Sequence, residues 1–280
     1  MIELLIEPFT YNYMVKAIWV SALVGGMCAF LSAYLMLKGW SLMGDALAHS
    51  IVPGVVLSYM LALPFAIGAF FAGLLAALSM ALVKHRTRLR EDAVIGLIFT
   101  AFFAFGLLMV SINPTSVSIQ AIIFGNILAI SDYDITQVVI ISVVCLSILC
   151  MKWKDLMAVF FDESHARSVG LPVNLLKILF FTLLSAACVA ALQTVGAILV
   201  IAMVVTPGAT AYLLTDRFDR LIVIAVVLGS LSSAAGAYIS YFADANPGGL
   251  IVSLQTLIFL AAFLFAPKYG YIKRRASVHG

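Results

Sequence analysis

The chain predicts an all-α, polytopic helical membrane protein made as a single domain over residues 1–280. Three observations carry that prediction. Hydrophobic residues fill 64% of its 280 positions and charged residues only 10%, where soluble domains carry roughly 25% charged residues. The mean hydropathy is +1.15. The apolar residues also fall in runs of about 20, the length that crosses the hydrocarbon core of a bilayer. Too little polar surface exists to cover a soluble fold of this size.

Read in order, these runs give nine spans, at 13–37, 42–61, 64–83, 93–111, 133–151, 175–192, 194–214, 221–242 and 250–266. The stretch 171–214 is too long for one crossing and divides in two, with Gln193 and Gly196 marking the expected turn. A second apolar patch at 121–130 is a candidate half-helix, so eight to ten spans fit the same composition. No cleavable signal peptide is expected, because Glu3 and Glu7 stand where a basic leader would be. Cys28, Cys145, Cys150 and Cys188 lie in apolar runs without metal-ligand spacing and read as small buried hydrophobes.

Charge orients the spans. Placing 84–90, 152–177, 216–220 and the C-terminal tail on one side with Lys38 collects 15 of the 16 Lys and Arg there, leaving Lys16 opposite. Positive charge marks the cytoplasm. The expected topology therefore has the N-terminus outside and the C-terminus inside. Glu3, Glu7, Asp132, Asp134 and Asp244 make the outer face weakly acidic, which favours cations but equally describes solvated loop acids. The net charge of +3 resides in loops and indicates no nucleic-acid partner.

Against this apolar background, Asp45 and His49 are four residues apart and share one helix face, with Cβ atoms about 5–6 Å apart. A carboxylate beside an imidazole is a ligand pair for a first-row divalent metal. Ionisable groups within a membrane segment are costly and mark functional sites. The plainer alternatives are an N-cap role for Asp45 and a hydrogen-bonded interior histidine. A helix break at Pro53-Gly54 follows the pair, and a second is expected at Pro207-Gly208. Interrupted membrane helices point to transport sites because their freed backbone groups need a cavity or a ligand.

The segment from about 155 to 172 is long for a chain so sparing with loops. Asp162 can cap a short helix, Ala166 permits close backbone approach, and Gly170 with Pro172 ends it. Such a helix suits docking to a partner, or lies on lipid headgroups. The chain has no Gly-x-x-x-x-Gly-Lys-Ser/Thr sequence and so does not bind nucleotide by that route. The His-Glu-x-x-His and Gly-x-Ser-x-Gly hydrolase signatures are also missing. Energy for uphill movement would come from another subunit.

Three separated motifs bear a family resemblance: Gly44-Asp45-Ala46-Leu47-Ala48-His49-Ser50-Ile51-Val52-Pro53-Gly54, the Phe161-Asp162-Glu163 segment through Ala166 and Gly170, and Val195-Gly196-Ala197-Ile198-Leu199-Val200 through Thr206-Pro207-Gly208-Ala209. Together they resemble the membrane permeases of ABC importers for manganese, zinc and iron, over essentially the whole chain. Phe265-Ala266-Pro267-Lys268-Tyr269-Gly270 is of the enterobacterial iron/manganese type. The resemblance implies a multi-pass permease of the bacterial inner membrane, with no enzyme activity and no permanently bound cofactor. It implies Mn²⁺ or Fe²⁺ as cargo, with Zn²⁺ possible, and Asp45 and His49 on the ion path. It also implies three kinds of partner: a cytoplasmic ATP-binding dimer coupled through Asp162, Glu163, Ala166 and Gly170; a periplasmic metal-binding protein; and a second permease, identical or sister. The alternative from a different class is an autonomous membrane enzyme or carrier using Asp45 and His49 as an acid/base pair.

Overall fold

Small residues decide how the helices of this chain meet. The computed structural model describes residues 2–112, 127–129 and 131–266, and apart from one 3-10 turn every regular element among them is an α-helix. The helices are α1 (Ile2–Thr10), α2 (Asn12–Lys38), α3 (Met43–Ser50), α4 (Val52–Met60), α5 (Phe65–Arg86) and α6 (Glu91–Ile112). The 3-10 turn Ile127–Ala129 precedes α7 (Asp132–Phe161), α8 (Glu163–Ser168), α9 (Val173–Val195), α10 (Ala197–Leu214), α11 (Phe218–Ala243) and α12 (Pro247–Phe265). The candidate half-helix at 121–130 falls mostly outside the described residues, as does most of the Phe265–Gly270 motif.

Seven of these helices (α2, α5, α6, α7, α9, α11 and α12) are long and apolar enough to cross a membrane. The other two expected spans are helical but differ from a single long crossing. The run 42–61 is two short helices, α3 and α4, meeting at Ile51. The run 194–214 is the 18-residue α10. Its expected turn is made by Gly196 alone, at φ 83 and ψ 162, a conformation open to glycine and little else. Gln193 sits in the last turn of α9 and takes no part in it.

The spine of the fold is α2, buried along most of its length against α7, α9, α10 and α11. Lipid supplies no hydrophobic drive for helices to associate, so close backbone approach at small residues must hold them together. Here Gly25 and Ala29 of α2 face Gly229 and Ser233 of α11. A Cβ at Gly25 would lie 2.8 Å from that of Ser233, and one at Gly229 would lie 3.3 Å from the Gly25 carbonyl carbon. The same device joins α4 to α5, where a Cβ at Gly54 would sit 2.6 Å from the Gly68 carbonyl carbon.

The interruption expected at Pro207-Gly208 is not there: α10 runs through both residues. Pro207 has no N–H to give to the Met203 carbonyl one turn earlier. Ser32 of α2 braces the turn around it. Its Oγ accepts the Gly208 N–H at 3.0 Å and its hydroxyl donates to the Val205 carbonyl at 3.1 Å. Gly208 is needed for that approach, since a Cβ there would come within 2.7 Å of the Ser32 backbone.

Candidate functional site: a ligand pair on a broken helix

The first site is built on α3. Its eight residues bury Met43, Gly44, Ala46, Leu47, Ala48 and Ser50, leaving only Asp45 and His49 half-buried on the remaining face. Burial of the apolar face therefore aims the polar pair. Gly44 seats the helix against α10, where a Cβ would lie 2.8 Å from Val204 Cγ1. Pro53 ends the run by withholding its N–H, and its ring packs under α6, 3.1 Å from where a Gly106 Cβ would be. Gly54 serves close packing onto α5 rather than flexibility.

Within the pair, His49 Nδ1 lies 3.1 Å from the Asp45 carbonyl and 3.0 Å from Asp45 Oδ1. A carbonyl only accepts, so Nδ1 carries the proton of that bond, and Nε2 is left with its lone pair in the neutral ring. The Asp45 Oδ1 contact is poorly aligned: this buried oxygen has no hydrogen-bond partner among the described residues. Phe99 and Phe103 of α6 present their rings to the imidazole at 5.5 and 5.6 Å and hold its plane. Among the described residues no group of three or more His, Cys, Asp or Glu gathers here or elsewhere. Among the described residues, one carboxylate and one imidazole thus come together at the site.

The second site is the short helix α8, and the long loop expected around it is largely helical. With 30 residues, α7 continues to Phe161. At 1.5 Å per residue it is about 45 Å long, half as long again as a ~30 Å hydrocarbon core. Its end is tied down by Tyr34 of α2, whose hydroxyl donates to the Trp153 carbonyl at 3.0 Å. The Tyr34 ring packs edge-on to Phe160, Phe180 and Phe218.

On that aromatic seat, α8 is capped at both ends. Asp162 Oδ1 accepts from the Ser164 and His165 amides at 2.8 and 3.1 Å. Gly170, at φ 85, closes the helix with two backbone bonds, Gly170 N–H to Arg167 and Leu171 N–H to Ala166, the Schellman arrangement that favours glycine. Two expectations change here. Ala166 is fully buried against the chain itself, so its small size seats α8 rather than admitting a partner. Glu163 also turns inward, 2.6 Å from Lys177 of α9 and 3.3 Å from Lys38 at the end of α2. Burial alone would raise the Glu163 pKa, but the hydrogen bonds and charges of Lys177 and Lys38 outweigh it and hold the carboxyl below its ordinary value. Outward, α8 and its flanks offer two apolar side chains, Phe161 and Val169 at 79% and 65% exposed, among the exposed polar Asp162, Ser164, His165, Arg167 and Ser168.

Basic and acidic ends separate as the charge pattern anticipates. Lys38, Lys84, Lys177 and Glu163 gather at one end with Glu91, which also accepts from the Trp40 indole. At the far end Lys16 pairs with Asp132.

The model of the ABC 3 transport family matches residues 10–266. The chain belongs to that family. It is 70% identical over 98% of its length to the chelated iron transport system membrane protein YfeC of Yersinia pestis, covering 94% of that protein. It is 49% identical to the manganese transport system membrane protein MntB of Synechocystis, over 96% of this chain and 88% of that one. A solved structure described as PsaBC from Streptococcus pneumoniae in complex with Fab superposes with a TM-score of 0.87 at 34% identity, over 98% of this chain and all of that one. This family member is a multi-pass permease subunit of the bacterial inner membrane. It is not an enzyme, and ATP is hydrolysed by a separate subunit. The acid/base alternative for Asp45 and His49 falls with that assignment.

Sequence reasoning missed Ser32, Tyr34, Lys38 and Lys177. No local signal marks them, because each acts on a residue 119 or more positions away in the chain, apart from the link of Lys177 to nearby Glu163.

Proposed function

We propose that this permease carries Mn²⁺ or Fe²⁺ inward and that Asp45 and His49 contact the ion as it passes. The observation behind this is Asp45 Oδ1, a buried carboxylate oxygen that lies 3.0 Å from His49 Nδ1 but accepts no aligned hydrogen bond among the described residues. Leaving such a group poorly satisfied is costly, and a divalent cation at that oxygen would offset the cost. His49 supports the same reading, since a Nδ1–H committed to a carbonyl fixes the tautomer and leaves Nε2 as the metal-binding atom. One oxygen and one imidazole suit Mn²⁺ and Fe²⁺ alike, and the relatives' names point to iron and manganese. Two ligands hold an ion weakly, which favours passage over storage.

In this reading the N-terminus lies outside and the basic end faces the cytoplasm. The segment Asp162–Gly170 receives one subunit of an ATP-binding dimer through exposed Phe161 and Val169. A periplasmic metal-binding protein delivers the ion. A second permease, identical or sister, completes the path. The break at Pro53-Gly54 and the braced turn at Pro207-Gly208 flank that path.

The test is uptake of ⁵⁴Mn, ⁵⁵Fe and ⁶⁵Zn in cells lacking their own high-affinity importers, supplied with this chain, its ATP-binding subunit and its binding protein. Uptake of manganese or iron that disappears in His49→Ala supports the proposal. Zinc uptake alone, or uptake indifferent to His49→Ala in an assembled complex, refutes it.

A further inference from the structure

A cleft of about 770 Å³ lies at the basic end, between the end of α2 and helices α5, α6, α8 and α9. Its rim carries four cations: Lys38, Lys84, Arg167 and Lys177. Two carboxylates, Glu91 and Glu163, face them, leaving two positive charges in excess. Glu163 is spent on Lys38 and Lys177, and Glu91 on Lys84 and Trp40. Arg167 has no ion-pair partner among the described residues.

The walls are aliphatic and continue along the flank of the molecule. Leu78 and Leu82 of α5 and Ile178 of α9 line the cleft and are 37%, 60% and 50% exposed. On α5 the same face extends away from the basic end through Leu75 and Phe71, exposed at 58% and 62%. Positions 71, 75, 78 and 82 form one stripe at helical spacing, on a helix long and apolar enough to span the membrane. The cleft therefore joins a cationic rim at the membrane boundary to an apolar track that runs along a spanning helix.

We propose that this cleft binds an anionic phospholipid, its phosphate against Arg167 and Lys84 and an acyl chain along the α5 stripe. Charge selects the headgroup: an excess of two cations attracts an anionic lipid and gives a zwitterionic one far less advantage. Length and apolarity select a lipid over a soluble anion, which would leave the aliphatic walls unused. An acidic segment of the ATP-binding subunit is the competing occupant. The exposed α5 stripe disfavours it, because a soluble subunit does not reach along a spanning helix.

Trp40 lines the cleft and serves as the reporter. The full chain carrying Trp19→Phe and Trp153→Phe is placed in bilayers containing phosphatidylglycerol or phosphatidylcholine brominated near the headgroup end of the acyl chain. At equal mole fraction, Trp40 quenching by the brominated phosphatidylglycerol should be greater by about twofold or more. Arg167→Gln with Lys84→Gln, both exposed side chains, should bring the ratio to one. Equal quenching by the two lipids in the parent chain overturns the proposal, as does a preference that survives the double variant. So does a preference abolished by adding a tryptophan-free ATP-binding subunit, which would assign the cleft to protein docking.

Discussion

Two of the short helices of this permease, α3 and α8, are built in opposite ways. Each contains fewer than ten residues, follows a long helix and rests on buried small or apolar side chains. In α8 the polar groups at both ends are satisfied: Asp162 caps two amides, Gly170 closes the last turn, and Glu163 is held by two lysines. In α3 the polar groups are less fully met, with no side-chain cap and a buried carboxylate oxygen that has His49 Nδ1 at 3.0 Å but no aligned hydrogen bond. A helix that transmits force gains from saturation, because every bond made is one that need not rearrange. A helix that contacts a passing ion must keep ligand capacity free. In the proposed reading, satisfied and less satisfied polar groups divide the mechanical element from the chemical one.

The largest expected effect tests the chemical side. Asp45→Ala should reduce metal uptake to background while the variant still retains the ATP-binding subunit on purification. Normal uptake would show that this carboxylate is incidental. Next comes the seat of α8. Ala166→Leu must place three extra carbons in a fully buried position, an overpacking that costs about 1–3 kcal/mol. We expect uptake to fall about tenfold with the α3 site intact, the drop that such a cost would produce if it fell on the coupled state; wild-type uptake would separate α8 from coupling.

A smaller effect concerns the braced turn. Ser32→Ala removes the bonds to the Gly208 N–H and the Val205 carbonyl and should cost about 1–3 kcal/mol. Pro207→Ala returns an N–H to the Met203 carbonyl and should lessen that loss in the double variant, measured by thermal unfolding in detergent. Additive losses would deny the brace. Gly170→Ala has open space around the new Cβ but sits at φ 85, so the expected cost is only about 1–2 kcal/mol, from backbone strain alone.

The smallest effect is a pH dependence. Because the folded Glu163 carboxyl is held below its ordinary value, its tie to Lys38 and Lys177 is complete above the unfolded pKa. It is lost as pH falls through the lower folded value. Wild type should lose more stability than Glu163→Gln on acidification below about pH 4.5, near the ordinary Glu value. Identical acid profiles would mean that the tie adds nothing.

Local rules accounted for a good deal of this molecule. Run length and hydropathy placed the helices, an i,i+4 spacing put Asp45 and His49 together, and cap chemistry located both ends of α8. Each rests on interactions within one or two turns, where nearby residues alone set the outcome. The same rules misjudged Pro207, because a helix can run through a proline where packing braces the turn, and Ser32, part of that brace, lies 173 residues from the Val205 carbonyl it bonds. They also left open which way Ala166 and Glu163 face. A six-residue helix has no periodicity strong enough to assign its sides, so packing decided.

By itself, the sequence determined that this protein lies in a membrane, where its helices run, and that one carboxylate–imidazole pair sits among them, since these follow from transfer free energies and short-range geometry. Tertiary structure alone decided that Asp45 Oδ1 accepts no aligned hydrogen bond, that Glu163 closes onto Lys38 and Lys177, and that α7 runs unbroken to Phe161 just before α8. Those outcomes depend on which distant surfaces come into contact, and in lipid that choice is made by the fit of small residues between backbones rather than by hydrophobicity.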